Sequence, residues 1–194
     1  MLGRYALYSA NTGRFQTAEA AIALASSLDP LNPLNPRTFW NTGAIRYAAR
    51  RYAEAVPPME RALALNPRMG NVRGYIGYSL LLQGKLDEAE ASILQETNAL
   101  TRLPGLAIVF HRRGKPGPAR EAFARLVAEL GDNGLYQQAE VLAQWGDAAA
   151  AIATLERARV AGDSGLFLAG QDPLLDPIRK TPELSRLLRE LGFD

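Results

Sequence analysis

The sequence predicts an all-α stack of about five helix pairs, an α-solenoid closed at its C-terminal end by a capping helix. Three observations carry this. Ala18, Ala55, Ala89, Ala119 and Ala151 each stand four residues before a large apolar side chain: Ile22, Met59, Ile93, Phe123 and Leu155. Gly13, Gly84, Gly114 and Gly146 stand five residues before four of those alanines, and Arg50 takes that place in the remaining case. The alanines recur at intervals of 37, 34, 30 and 32 residues, a period in the thirties that marks a repeated supersecondary unit.

The units fall at about 1–30, 36–67, 70–98, 100–129 and 132–160, together an array over 1–160. The first carries Tyr5, Ala6, Gly13, Phe15, Ala18, Ile22, Ala25 and Pro30. It enters an apolar helical pattern with no Ser, Thr, Asp or Asn to cap it, which leads to the expectation that the chain was cut from something longer. The second unit shows the physical grammar most clearly. Phe39, Gly43, Ile45 and Tyr47 give its first segment a small-residue face with large neighbours. In its second segment Ala55, Met59, Ala62 and Leu63 form one helical stripe. Alanine at a crossing lets two helices approach closely, and the bulky residue one turn later fills the groove beside it. Pro67 ends the segment. Pro57 and Pro58 interrupt it, and Pro58 is expected to cost a backbone hydrogen bond and to bend or delay the helix. The third unit repeats the pattern with Ile76, Gly77, Leu80, Gly84, Ala89 and Ile93, but places Glu96 where a small residue is expected. The fourth has Leu103, Ala107, Phe110, Gly114, Ala119 and Phe123, with Pro118 expected to open its second helix. The fifth has Leu135, Ala139, Leu142, Gly146, Ala151 and Leu155. No helix of this kind buries its stripe alone, so neighbouring units must stack.

Residues 161–194 depart from the repeat. Gly162, Gly165 and Gly170 break it, and Asp172-Pro173 and Asp176-Pro177 read as two caps around a short turn presenting Leu174 and Leu175. Thr181-Pro182-Glu183 is a helix start, with a capping hydroxyl and proline at the first helical position. Leu184, Leu187, Leu188 and Leu191 form one apolar stripe, and Gly192 ends the helix so that Phe193 folds back near Leu188. One apolar face and one charged face are what the end of a stack needs.

Composition narrows the chemistry. The 194 residues carry a net charge of +2 with 22% charged and 47% apolar residues, the balance of an ordinary globular protein with no strongly basic face for nucleic acid. Cysteine is absent, which excludes disulfides, thiolate metal sites and cysteine nucleophiles. No apolar run reaches the length of a membrane span. The single histidine, His111, stands beside Arg112 and Arg113 and builds no metal site. Gly77 to Leu86 has the wrong glycine spacing for a phosphate loop and no Ser or Thr after Lys85. Acid pairs such as Asp87 and Glu88 open a second helix, where the helix dipole favours them. No catalytic residue, metal ligand or cofactor is expected.

The unit resembles the tetratricopeptide repeat, whose pattern runs Trp-x2-Leu-Gly-x2-Tyr, then Ala-x3-Phe, then Ala and a closing Pro. The match is firm in the second half of each unit, as in Tyr52, Ala55, Met59, Ala62 and Pro67, and weaker in the first. The resemblance implies a right-handed superhelix whose first helices line a concave groove for a protein or peptide. Groove residues would be Arg37, Trp40, Asn41, Ala44 and Tyr47, then Asn71, Gly74, Tyr75, Tyr78 and Leu81, then His111 and Arg112, then Tyr136 and Glu140. Trp40, Tyr47, Tyr75 and Tyr78 would form an aromatic cluster able to anchor a partner or to pack between helices. Trp40, Ala44 and Ala48 replace most of the Lys and Asn set that clamps a C-terminal carboxylate in chaperone-binding relatives. From "WGDAAAAIATLERA" to "RELGF" the ending resembles the close of tetratricopeptide regions in bacterial signalling proteins, after a cyclase, a winged-helix domain or a kinase. The implied function is non-enzymatic protein binding, or a regulatory or self-association arm of a longer signalling protein, with homo-oligomers one form of partner. The expected compartment is the cytoplasm, or the periplasm if a membrane segment precedes the chain.

Overall fold

A computed structural model describes residues 1–28 and 35–193. Pro30, the expected close of the first unit, lies outside the described residues. Two compact units divide the chain at 97/98, and both are built of antiparallel helix pairs.

In the first unit the pairs are α1 (Leu2–Asn11) with α2 (Phe15–Ser27), α3 (Pro36–Ala48) with α4 (Tyr52–Leu65), and α5 (Val72–Leu82) with α6 (Leu86–Leu94). Gly43 and Gly77 on the first helices explain how closely the partners approach. A Cβ on Gly43 would stand 2.4 Å from Met59 Cγ and 2.9 Å from the Ala55 carbonyl oxygen. A Cβ on Gly77 would stand 2.3 Å from Ile93 Cγ1 and 3.2 Å from the Ala89 carbonyl oxygen. The repeating alanine and the bulky residue after it are therefore the two walls of each crossing, and Ala55, Met59, Ala89 and Ile93 are all fully buried. Gly77→Leu is expected to cost about 3 kcal/mol, because a branched side chain enters a filled crossing. Urea unfolding checks this, and an unchanged midpoint would contradict the packing.

The turn between partners uses one left-handed residue. Gly13, Gly84, Gly114 and Gly146 all have positive φ, and Arg50 adopts the same conformation at φ 61°. Arg50 is held there with its guanidinium donating to the Ala48 carbonyl at 2.6 Å.

Pro57 and Pro58 neither delay nor end α4, which begins at Tyr52 and runs to Leu65. Proline at 58 leaves the Glu54 carbonyl without its helical donor. The guanidinium of Arg46 on α3 donates to that oxygen at 3.1 Å. Glu96, out of pattern in the sequence, proves to be a cap. Asn71 opens α5 at φ 70° with no side-chain bond to the helix, and the buried Glu96 carboxylate accepts from the Gly74 amide at 3.0 Å instead.

In the second unit α7 (Ala99–Arg112) pairs with α8 (Pro116–Leu130), and α9 (Leu135–Gln144) with α10 (Ala148–Ala161). Pro116, not Pro118, occupies the first position of α8, since the Lys115 carbonyl already accepts the first helical bond from Ala119. The chain then makes 3-10 turns at Ser164–Leu168 and Pro173–Ile178 and ends in α11 (Pro182–Glu190). Asp172 caps the second turn through the Leu174 amide, and Asp176 lies inside that turn, where it pairs with Arg179 at 3.4 Å. Thr181 caps α11 through the Leu184 amide. After Gly192, at φ 83°, the Phe193 amide bonds back to the Leu188 carbonyl. Leu184 and Leu187 join Leu155, Ala158 and Leu175 in one buried core, so the ending completes the second unit's own interior.

Candidate partner-binding surface

Successive first helices of the first unit are neighbours: α1 packs on α3, and α3 meets α5. Each first helix thus has its own partner on one side and another pair beside it, leaving a narrow strip outward. Aromatic residues fill the seam between α3 and α5. The Trp40 and Tyr75 rings meet edge to face, with centroids 5.0 Å apart at 87°. Tyr47 stands 5.2 Å from Tyr75 and 6.5 Å from Tyr78, and Tyr75 stands 5.6 Å from Tyr78. Edge and tilted contacts of this kind lock rings in place, so the cluster forms a rigid aromatic platform.

Burial divides the cluster. Trp40 and Tyr75 are half-buried, whereas Tyr47 and Tyr78 are 4% and 3% exposed and act as the floor. Tyr52 on α4, which the sequence placed in the repeat pattern and not in the groove, adjoins that floor, 6.0 Å from Tyr47. Arg37 is exposed one turn before Trp40, and Ala44 is partly exposed one turn after it. Asn41 is 4% exposed and Leu81 fully buried, so both belong to the packing. Gly74 is buried beneath Glu96, and Asn71 sits partly exposed at the start of α5.

The other expected residues lie in the second unit and form no matching platform. His111 is exposed, its ring stacked on Trp145 at 5.6 Å. Arg112 donates to the Gln144 side chain at 2.6 Å. Trp145, unmarked in the sequence, is fixed by its indole N–H to the Ala107 carbonyl at 3.2 Å and by Phe123 at 5.2 Å. Tyr136 is fully buried and Glu140 is 5% exposed, so neither offers surface to a partner. Their role is internal. Tyr136 donates its hydroxyl to Asp172 Oδ2 at 2.7 Å, and Asp172 also accepts from the Leu174 amide at 2.9 Å. Burial, and then the neighbouring Asp172 carboxylate, push the Glu140 carboxyl well above the ordinary range.

The basic cluster at Arg46, Arg50 and Arg51 is occupied by structure. Arg51 bridges Glu19 and Glu54, and the bond from Arg51 holds the Glu54 carboxyl below its usual range. Among the described residues no three His, Asp or Glu are placed to hold a metal ion, and no helix is long and apolar enough to cross a membrane.

Compared with solved structures, the chain is similar to PilF of Pseudomonas aeruginosa, from a structure titled as its functional characterization. The two share 18% identity over 98% of this chain and 90% of that one, with a TM-score of 0.59. PilF contains tetratricopeptide repeats, and the likeness shows the same all-α solenoid of helix pairs. No protein-family model matches the chain, and no curated protein matches it.

Proposed function

We propose that the chain is a non-enzymatic interaction module whose first unit holds a protein or peptide against the α3–α5 face. The observation that carries this is the ring platform of Trp40 and Tyr75 on its tyrosine floor. A helix seam needing only to be filled would bury its aromatic residues, and two of these stay only half-buried. Rigid aromatic edges lose little entropy on binding and dominate interface energies when a partner covers them. Such a face binds without transferring protons or groups, and the helix-pair architecture supports a scaffold role. Panning a displayed peptide library on the intact chain is expected to select ligands whose affinity falls at least tenfold on Trp40→Ala, a loss of about 1.4 kcal/mol or more. Circular dichroism confirms that the variant is folded. Selected ligands that bind Trp40→Ala as well as wild type would remove the platform from the function.

A further inference from the structure

Charge in the first unit is sorted by helix. α1, α3 and α5 carry Arg4, Arg37, Arg46 and Arg73 and no carboxylate, whereas α2, α4 and α6 carry six carboxylates, Glu19, Glu54, Glu60, Asp87, Glu88 and Glu90, against the single arginine Arg61. Two of the four arginines are committed within the unit, Arg46 to the Glu54 carbonyl and Arg73 to the Pro67 carbonyl. Arg4 and Arg37 are exposed and make no side-chain hydrogen bond or ion pair among the described residues. They line one cleft of about 740 Å³ formed by α1, the second half of α2 and the start of α3, with Thr38 beside them and no carboxylate among its described lining residues.

Arg51, by contrast, lies between two acids, Glu19 and Glu54. Two guanidinium groups with no carboxylate beside them among the described residues produce a local positive potential that the net charge of +2 does not reveal. Guanidinium presents a planar fork of donors that matches a carboxylate in two-point contact. Arg37 also precedes Trp40 by three residues, about 4.5 Å along the helix axis. That separation is close to the reach of one or two residues of an extended peptide.

We propose that the α1–α3–α5 face of the first unit binds an acidic peptide segment, its carboxylates on Arg4 and Arg37 and a neighbouring apolar side chain against Trp40 and Tyr75. This rests on reading that face as the interaction surface, and adds the chemistry of its partner. A nucleic acid fits less well, because two free arginines neutralise too few phosphates to hold a polyanion at physiological salt.

The test is fluorescence anisotropy on the intact chain with four labelled probes: a Glu-rich peptide, Gln-rich and Lys-rich peptides of the same length and apolar content, and an oligothymidylate. The Glu-rich peptide is expected to bind at least tenfold more tightly than the Gln-rich one, and to weaken between about 50 mM and about 500 mM salt. Arg4→Glu with Arg37→Glu should abolish that preference. Arg61→Glu with Arg120→Glu, the same change in net charge at exposed second-helix positions, should leave it intact. Glu-rich and Gln-rich peptides bound equally, both lost on Trp40→Ala, would overturn the acidic partner and keep the surface. Equal weakening by the two charge-reversed variants, or oligothymidylate bound as tightly as the Glu-rich peptide, would also overturn it. No binding by any peptide would overturn both the partner and the surface.

Discussion

Tyr136→Ala is expected to destabilise the second unit by about 4 kcal/mol, the cost of emptying a fully buried aromatic site. The ring does more than fill space. A Cβ on Gly165 would come within 2.7 Å of Tyr136 Cγ, so the glycine exists to let the Ser164–Leu168 turn lie flat against the ring. The hydroxyl holds Asp172, and the Tyr136 amide donates to Asp163 Oδ2 at 2.9 Å. One residue thereby ties both turns of the ending to α9, the first through its amide and ring and the second through its hydroxyl. Tyr136→Phe keeps the ring and loses only the hydroxyl bond to a carboxylate, about 2 kcal/mol. Chemical denaturation of the three proteins, followed through Trp145 fluorescence, reads this directly. Tyr136→Phe as costly as Tyr136→Ala would mean that the hydroxyl, not the ring, holds the ending.

Stability of the same unit should fall as pH rises. Unfolded, Glu140 releases its proton near the ordinary glutamate value of about 4.3. Folded, burial and the Asp172 carboxylate, with Asp163 also nearby, raise its pKa well above that. The folded chain therefore holds a proton that the unfolded chain has lost, and unfolding releases it. The associated stability is fully present below about pH 4 and declines by up to ~1.4 kcal/mol per pH unit until the folded pKa is passed. The cations near the pair do not reverse this, since Arg179 spends its donors on the carbonyls of Ala169, Gly170 and Asp172 and on Asp176. Glu140→Gln supplies a neutral donor at every pH. Its denaturation midpoint should vary less with pH and exceed that of wild type at pH 8. Parallel pH profiles for the two proteins would show that Glu140 ionises normally in the fold.

These two effects involve residues that the sequence had placed in a groove, and the reason is geometric. A first helix in such a stack touches its partner, the pair before and the pair after. Its apolar period marks three contacts and one free strip without saying which is which. Trp40 and Tyr75 fell on the strip, while Tyr78, Leu81 and Tyr136 fell inside. Features set by neighbours in sequence were legible. The alanine crossings, the positive-φ turns, the Thr181 cap and the fold-back of Phe193 each need only a few adjacent residues. Features set across the fold were hidden. Nothing local reveals that Arg46 serves the carbonyl freed by Pro58, or that Tyr52 and Trp145 complete ring clusters. The charge sorting between helix types was present in the sequence throughout, but it emerges only once each residue is assigned to a first or second helix.

The Glu96 cap has a consequence for how the third helix pair moves. Its carboxylate reaches back 22 residues to the Gly74 amide, and Ser92 donates to the Arg73 carbonyl at 2.9 Å alongside. The turn at Gly84 already joins the pair at its other end. The chain between Gly74 and Glu96 is therefore a closed ring, pinned where a hairpin would ordinarily fray. Neither α5 nor α6 can peel from its free end without breaking a buried charged bond, so the pair opens as one cooperative block. The tyrosines of α5 owe their fixed attitude to that ring: a distant glutamate keeps the platform steady.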